Sequence, residues 1–186
     1  VRIIAGKHRG TKLVSPEGLD TRPTPERVRE AVFSMLESGR FGMVLRDRLI
    51  LDLFAGTGAM GLEALSRGAE KVVMVDNHPT ALDALRANVD KLRAGASVQV
   101  RSGDATRWHE RSQVPAGVIF MDPPYGSEAW VPATAAALKG GWIGDDTVLV
   151  IETDKRERTE IPDGFEVLDE RNYGRARILM LGRAAP

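Results

Sequence analysis

The sequence predicts an α/β fold in which a parallel sheet is covered by helices on both faces. Three observations predict it. Short apolar runs alternate with segments of helical period, a glycine-rich turn joins one run to the helix after it, and an acid closes each of four runs. Right-handed crossovers reduce such a pattern to a doubly wound sheet, whose ligands sit at the carboxyl ends of its strands.

At 186 residues the chain supports one substantial core and is short for two domains. With 42% hydrophobic and 28% charged residues it reads as an ordinary soluble protein. The net charge of +0 excludes a global basic field, so any nucleic-acid site must come from local asymmetry. The absence of cysteine excludes disulfides, thiolate metal sites and cysteine nucleophiles, and suits a reducing compartment. No signal-peptide pattern or bilayer-length apolar run is read, so the expected location is cytoplasmic.

Residues 1–20 carry Arg2, Lys7, His8, Arg9 and Lys12 before the first acid, Glu17. Ile3-Ile4 and Gly10 to Val14 suggest two short strands, a basic hairpin suited to phosphate contacts or equally a solvated terminus. In Thr24-Pro25-Glu26, Thr24 fits an N-cap and Pro25 the first helical position, and Val28, Val32, Met35 and Leu36 carry the helix to about Ser38. Arg22 and Arg27 fit either surface charges or ligand contacts. Leu49 to Phe54 reads as a buried strand, followed by the turn Gly56-Thr57-Gly58 and a helix from Ala59 to Gly68.

Lys71 to Asp76 is a second strand, and its acid lies about 20 residues beyond the glycines, where nucleotide folds place a carboxylate on ribose. Leu82, Leu85, Val89 and Leu92 repeat at helical spacing. Further strands are Ser97 to Arg101, leading to Asp104, and Val118 to Met121, leading to Asp122-Pro123-Pro124-Tyr125. A helix near 127–139 precedes a fifth strand, Thr147 to Glu152. Phe165 to Glu170 and Ala176 to Leu181 flank a short joint and form an antiparallel pair. The histidines (His8, His78, His109) lack metal-ligand spacing, so no metal is expected, and Trp108, Trp130 and Trp142 read as packing residues.

Gly56 to Gly61 matches the G-x-G-x-x-G dinucleotide pattern, a weak signal alone. Asp52 just before the turn would repel a pyrophosphate and welcome a cation, and Asp-Pro-Pro-Tyr has no role in hydride transfer. Both features fit S-adenosyl-L-methionine. The set Asp52, Phe54, Gly56, Gly58, Asp76 and Asp122 to Tyr125 resembles class I S-adenosylmethionine-dependent methyltransferases of exocyclic amines. With Arg2 to Gly6, Arg22 to Glu30 and Gly61 to Ala69, the chain resembles bacterial small-subunit ribosomal RNA guanine-N2 methyltransferases of the RsmD type.

The resemblance implies a doubly wound, Rossmann-like class I methyltransferase fold with a seven-stranded, mostly parallel sheet and an antiparallel last strand. A basic β-hairpin extension over 1–20 would precede the methyltransferase domain over 21–186. It further implies a guanine of 16S ribosomal RNA as substrate. The expected partner is that RNA within a small-subunit assembly particle, met by a monomer with no metal and no membrane. The glycine turn would face the methionine part of the cofactor, Asp76 the ribose, Asn77 the adenine, and Asp104 the adenine amino group with Ala105 beside it. The RNA candidates are Lys7, Arg9, Lys12 and Arg22, with Tyr173 and Arg175 of the last hairpin; a plain hairpin turn explains the last two as well. Arg22 fits the cofactor's methionine end equally.

The catalytic candidates are Asp122, Pro123, Pro124 and Tyr125. A guanine amine is a poor nucleophile because its lone pair is delocalised into the ring. Acceptors on its N–H groups, the Asp122 carboxylate and the Pro123 carbonyl, would turn that lone pair toward the methyl. The prolines hold the carbonyl in place, and Tyr125 offers an extruded base a stacking surface. Three alternatives remain: an adenine-N6 enzyme, a protein-glutamine enzyme, and a catalytically silent assembly factor that binds the cofactor.

Overall fold

The computed structural model describes residues 1–18 and 23–186, so the candidate Arg22 lies outside the described residues. In chain order the elements are α1 (Glu26–Glu37), β1 (Leu49–Leu53), α2 (Ala59–Ser66), β2 (Lys71–Asp76), α3 (Pro79–Lys91) and β3 (Val98–Ser102). A 3₁₀ turn (Ala105–Arg107), β4 (Val118–Met121), α4 (Trp130–Lys139), β5 (Val148–Asp154), β6 (Phe165–Tyr173) and β7 (Ala176–Arg183) follow. They build a seven-stranded sheet in the order β3-β2-β1-β4-β5-β7-β6. The strands β1 to β5 pair in parallel, and β7 is antiparallel to both β5 and β6, between which it is inserted.

The central strands are buried on both faces, which is why they read as unbroken apolar runs rather than alternating ones. Ile50, Val72, Met74, Phe120 and Val150 face α1, α2 and α3; Leu51, Leu53, Val75, Ile119 and Ile151 face α4, Trp108 and Trp142. The order of the strands reverses between β1 and β4, and their carboxyl ends open there.

The structure departs from the sequence expectations at several places. Strict alternation fails between β3 and β4, where the 3₁₀ turn and a loop replace a helix and buried Trp108 fills the space against the sheet. Helix α1 is capped at Pro25 rather than Thr24, whose hydroxyl donates instead to Glu152 Oε2 at 2.6 Å. The two expected N-terminal strands amount to one antiparallel bridge, Arg2 with Lys12. The fifth strand runs on to Asp154, two residues beyond the expected Glu152.

Side chains, not a sheet ladder, fasten residues 1–14 to the domain. Fully buried Glu63 accepts from Ile4 N (2.8 Å), Ala5 N (3.2 Å), Arg29 Nη1 (3.5 Å) and Arg67 Nε (3.2 Å). Gly6 lies so close to the end of α2 that a Cβ would meet Ser66 O at 1.9 Å, and its φ of +84° suits glycine as well. Buried Asn88 exchanges bonds with Val14 (2.6 and 2.9 Å) and donates to Thr57 O at 2.9 Å, linking the leading segment to the glycine-rich turn. Ile3 and Leu13 sit in the same apolar cluster as the helices of that face.

Candidate active site

The glycine-rich turn leaves β1 through two residues in the left-handed region, Phe54 (φ 58°) and Gly56 (φ 57°). A left-handed phenylalanine costs about 1–2 kcal/mol, a local strain stored at the mouth of the sheet. Asp76, at the end of β2, holds the turn: its carboxylate accepts from Gly56 N and His78 N, both at 2.9 Å. Gly58 opens α2 at φ 80°, and a Cβ there would meet Leu85 Cδ2 at 2.8 Å. Its lack of a side chain lets the helix start pack onto α3.

A cleft of about 570 Å³ lies over the strand ends. It gathers Asp52, Phe54, Gly56, Asp76, Asn77 and Asp122 to Tyr125, with Arg29, Thr24, Glu152 and Ile178 completing the wall. Gly58, Asp104 and Ala105 do not line it. Asp104 instead caps the 3₁₀ turn, accepting from Thr106 N and Thr106 Oγ1, and those bonds hold its pKa down. Ala105 is buried in the sheet's second apolar cluster.

The acids of the cleft are electrostatically distinct. Asp52 is buried and accepts from Gly61 N at 3.0 Å; burial pushes its pKa up to about 8 against that bond, with Asp76 adding repulsion. Asp122 is open to the cleft that it lines, but the protein packed around it raises its pKa well above the usual carboxylate range, with Glu152 and Asp52 adding to the rise. Loss of solvation also raises Glu152, opposed by hydrogen bonds from Thr24 and Tyr125. The phenol of Tyr125 bonds Glu152 Oε1 at 3.4 Å, and loss of solvation followed by the charges of Glu152 and Asp122 raise it to about 12.

The loop after β4 is held from its far side. Glu157 accepts from Gly126 N at 2.5 Å, and Ser127 Oγ donates to Pro124 O at 2.6 Å. The guanidinium of Arg175, in the last hairpin, lies 5.7 Å from the centre of the Tyr125 ring and bonds Asp154 at 2.5 Å. Arg156 shares that carboxylate, and its hydrogen bonds lead the fall in the Asp154 pKa. Tyr173 packs against the apolar cluster on the α1 side. Lys7, Arg9 and Lys12 are exposed. Lys7 N bonds Ser66 O at the far end of α2, so the hairpin tip stands about one helix length from the cleft, ~12 Å for this element.

Sequence reasoning missed Glu152 and Arg29. The fifth apolar run of the sequence, Thr147 to Glu152, closes on an acid as four others do, so the signal for Glu152 was present. Arg29 had none: it reads as one more charge on a surface helix, yet it is 1% exposed and its Nε has no hydrogen-bond partner. Among the described residues no cluster of acids and histidines could hold a metal ion, and no helix is long and apolar enough to cross a membrane.

Comparison with known proteins adds four findings. A family described as "Conserved hypothetical protein 95" matches residues 1–182. The chain is 33% identical over 154 residues to ribosomal RNA small subunit methyltransferase D of Escherichia coli K12, covering 83% of this chain and 75% of that protein. To the Haemophilus influenzae protein of the same name it is 32% identical over 179 residues, covering 94% and 89%. Among solved structures, a putative methyltransferase, yhhF, from Escherichia coli superposes with a TM-score of 0.84 at 31% identity, covering 100% of this chain and 99% of that one.

Proposed function

Since the chain belongs to the conserved hypothetical protein 95 family, as an RsmD-type methyltransferase, we propose that it transfers a methyl group from S-adenosyl-L-methionine to the exocyclic N2 of a guanine in 16S ribosomal RNA. The observation that carries this reading is the single cleft in which the glycine-rich turn, Asp52 and Asp76 face Asp122 to Tyr125. Relatives named for small-subunit ribosomal RNA support the substrate class.

The residues present fit the cofactor. Arg29 places a buried cation with an unpartnered Nε in the wall, and Asp52 a buried acid beneath the turn. A ligand bearing a carboxylate beside a cation answers both, as the methionine part does. Asp76 and Asn77, on the other side of Gly56, would take the ribose and adenine. When bound, S-adenosylmethionine supplies an electrophilic methyl on a sulfonium.

The chain's own residues do the rest. Asp122 and the Pro123 carbonyl accept from the guanine amine and turn its lone pair toward the methyl. Tyr125 stacks the extruded base, worth about 1–3 kcal/mol. The methylated amine would carry one surplus proton, and Asp122 would receive it. The raised pKa of that carboxyl makes it a better proton acceptor once ionised. Alignment of this kind supplies at most roughly 7–11 kcal/mol of barrier lowering.

Tritium transfer from labelled cofactor tests the reading. Unmethylated small-subunit particles, free ribosomal RNA, DNA and protein are offered in parallel, and labelled RNA is digested to nucleosides. Label in N2-methylguanosine is expected; label confined to DNA, to protein or to N6-methyladenosine would overturn it.

A further inference from the structure

Glu152 has no part in the reaction as derived so far, yet it occupies the heart of the cleft. Strands β4 and β5 pair in parallel with Phe120 opposite Val150 and Met121 opposite Ile151. Carried one residue further, that register sets Asp122 beside Glu152, neighbours across a strand spacing of about 4.8 Å. Both lie on the face that carries Phe120 and Val150, the face of α1. Glu152 is one methylene longer, so its carboxylate reaches further over the slot. Ile178 of β7, directly opposite Glu152 in the antiparallel ladder, gives that slot an apolar side.

The carboxylate is also fixed. Thr24 Oγ1 donates to Oε2 at 2.6 Å and Tyr125 Oη to Oε1 at 3.4 Å, one donor on each oxygen. Each oxygen keeps further acceptor capacity. Two adjacent carboxyl groups of unequal reach thus face one slot, and neither has a positively charged partner among the described residues. The edge of a purine that suits such a pair carries two adjacent donors. Guanine has that edge, N1–H beside the N2 amine; adenine presents N1 as an acceptor.

We infer that Glu152 is the residue by which the cleft selects guanine, its carboxylate accepting N1–H from the same base whose amine is held at Asp122. The inference rests on the reading of the cleft as a guanine-N2 site and adds to it the determinant of base choice. A base offering an acceptor at N1 meets the carboxylate lone pairs directly and leaves a desolvated charge unpaired, which discriminates more sharply than the loss of an apolar contact.

The test uses small-subunit RNA ligated around a synthetic segment with either guanine or 2,6-diaminopurine at the methylated position. Diaminopurine keeps the reactive 2-amine but presents N1 as an acceptor. Wild type should favour guanine by about 100-fold or more in kcat/KM. In Glu152→Gln the side-chain amide can donate to N1 of diaminopurine, so the guanine preference should fall at least tenfold, through a gain on diaminopurine as well as a loss on guanine. A purely structural Glu152 would lower both rates together and leave their ratio unchanged, and that result would overturn the inference. Near-equal wild-type rates on the two bases would overturn it as well, which keeps the test decisive should the variant fail to fold. If wild type methylates neither base at N2, the proposed function itself fails, an outcome distinct from a guanine enzyme whose base ratio ignores position 152.

Discussion

Lowering the pH from 7 to 6 should weaken S-adenosylmethionine binding about ninefold, through Asp52 alone. The carboxyl is buried beneath the glycine-rich turn with its pKa raised to about 8. A group with that pKa is ionised in roughly a tenth of molecules at pH 7 and roughly a hundredth at pH 6. A cationic ligand requires the ionised form, so the ratio of those fractions enters the affinity, about 1.3 kcal/mol. The ligand's own amine stays largely protonated below pH 7, so it does not confound the comparison. Titration calorimetry in two buffers of different ionisation enthalpy should detect close to one proton released per ligand at pH 7. Asp52→Asn keeps an acceptor for Gly61 N but cannot titrate, so its affinity should be flat over this range.

The same group acts on stability with a defined sign. Its folded pKa lies above the ordinary value of 3.8, so the folded state keeps a proton that the unfolded chain has lost. Stability therefore falls as pH rises from about 4 to about 8, by up to ~1.4 kcal/mol per unit. Asp52→Asn should melt higher than wild type, by about 2–4 °C for each kcal/mol, with the gap widening toward pH 8. Equal pH profiles of affinity and of melting in the two proteins would refute the reasoning.

Asp122→Asn should retain cofactor binding by calorimetry but lose most turnover, together with a rising limb of the pH–rate profile that in wild type lies above the ordinary carboxylate range. Replacing Lys7, Arg9 and Lys12 by alanine should lower the slope of log affinity for RNA against log salt by roughly 2–3 if all three meet phosphates; an unchanged slope assigns the hairpin no RNA contact. Asn88→Leu should cost roughly 2–4 kcal/mol in denaturant unfolding, because it strips partners from Val14 N, Val14 O and Thr57 O.

Most of the sheet was legible in the sequence because strands buried on both faces write continuous apolar runs, and the glycine turn and Asp122 to Tyr125 punctuate two of them. The antiparallel insertion of β7 came from resemblance; the runs after residue 165 show only that they pair with each other. Thr24 illustrates what propensity cannot see: a residue of the right type for a cap was claimed by a carboxylate 128 positions away. Gly58 and Asp104 stand outside the cleft's lining for a related reason. A motif names residue types, while packing against Leu85 or a local turn at Thr106 decides where each one faces.

Asn88 turns one amide group into a rivet through three layers of chain. Its oxygen receives and its nitrogen gives twice, so aspartate, which differs by a single atom, could not replace it without setting lone pair against lone pair at both carbonyls. Engineering of this helix should find its exposed neighbours permissive and this one site closed to every isostere.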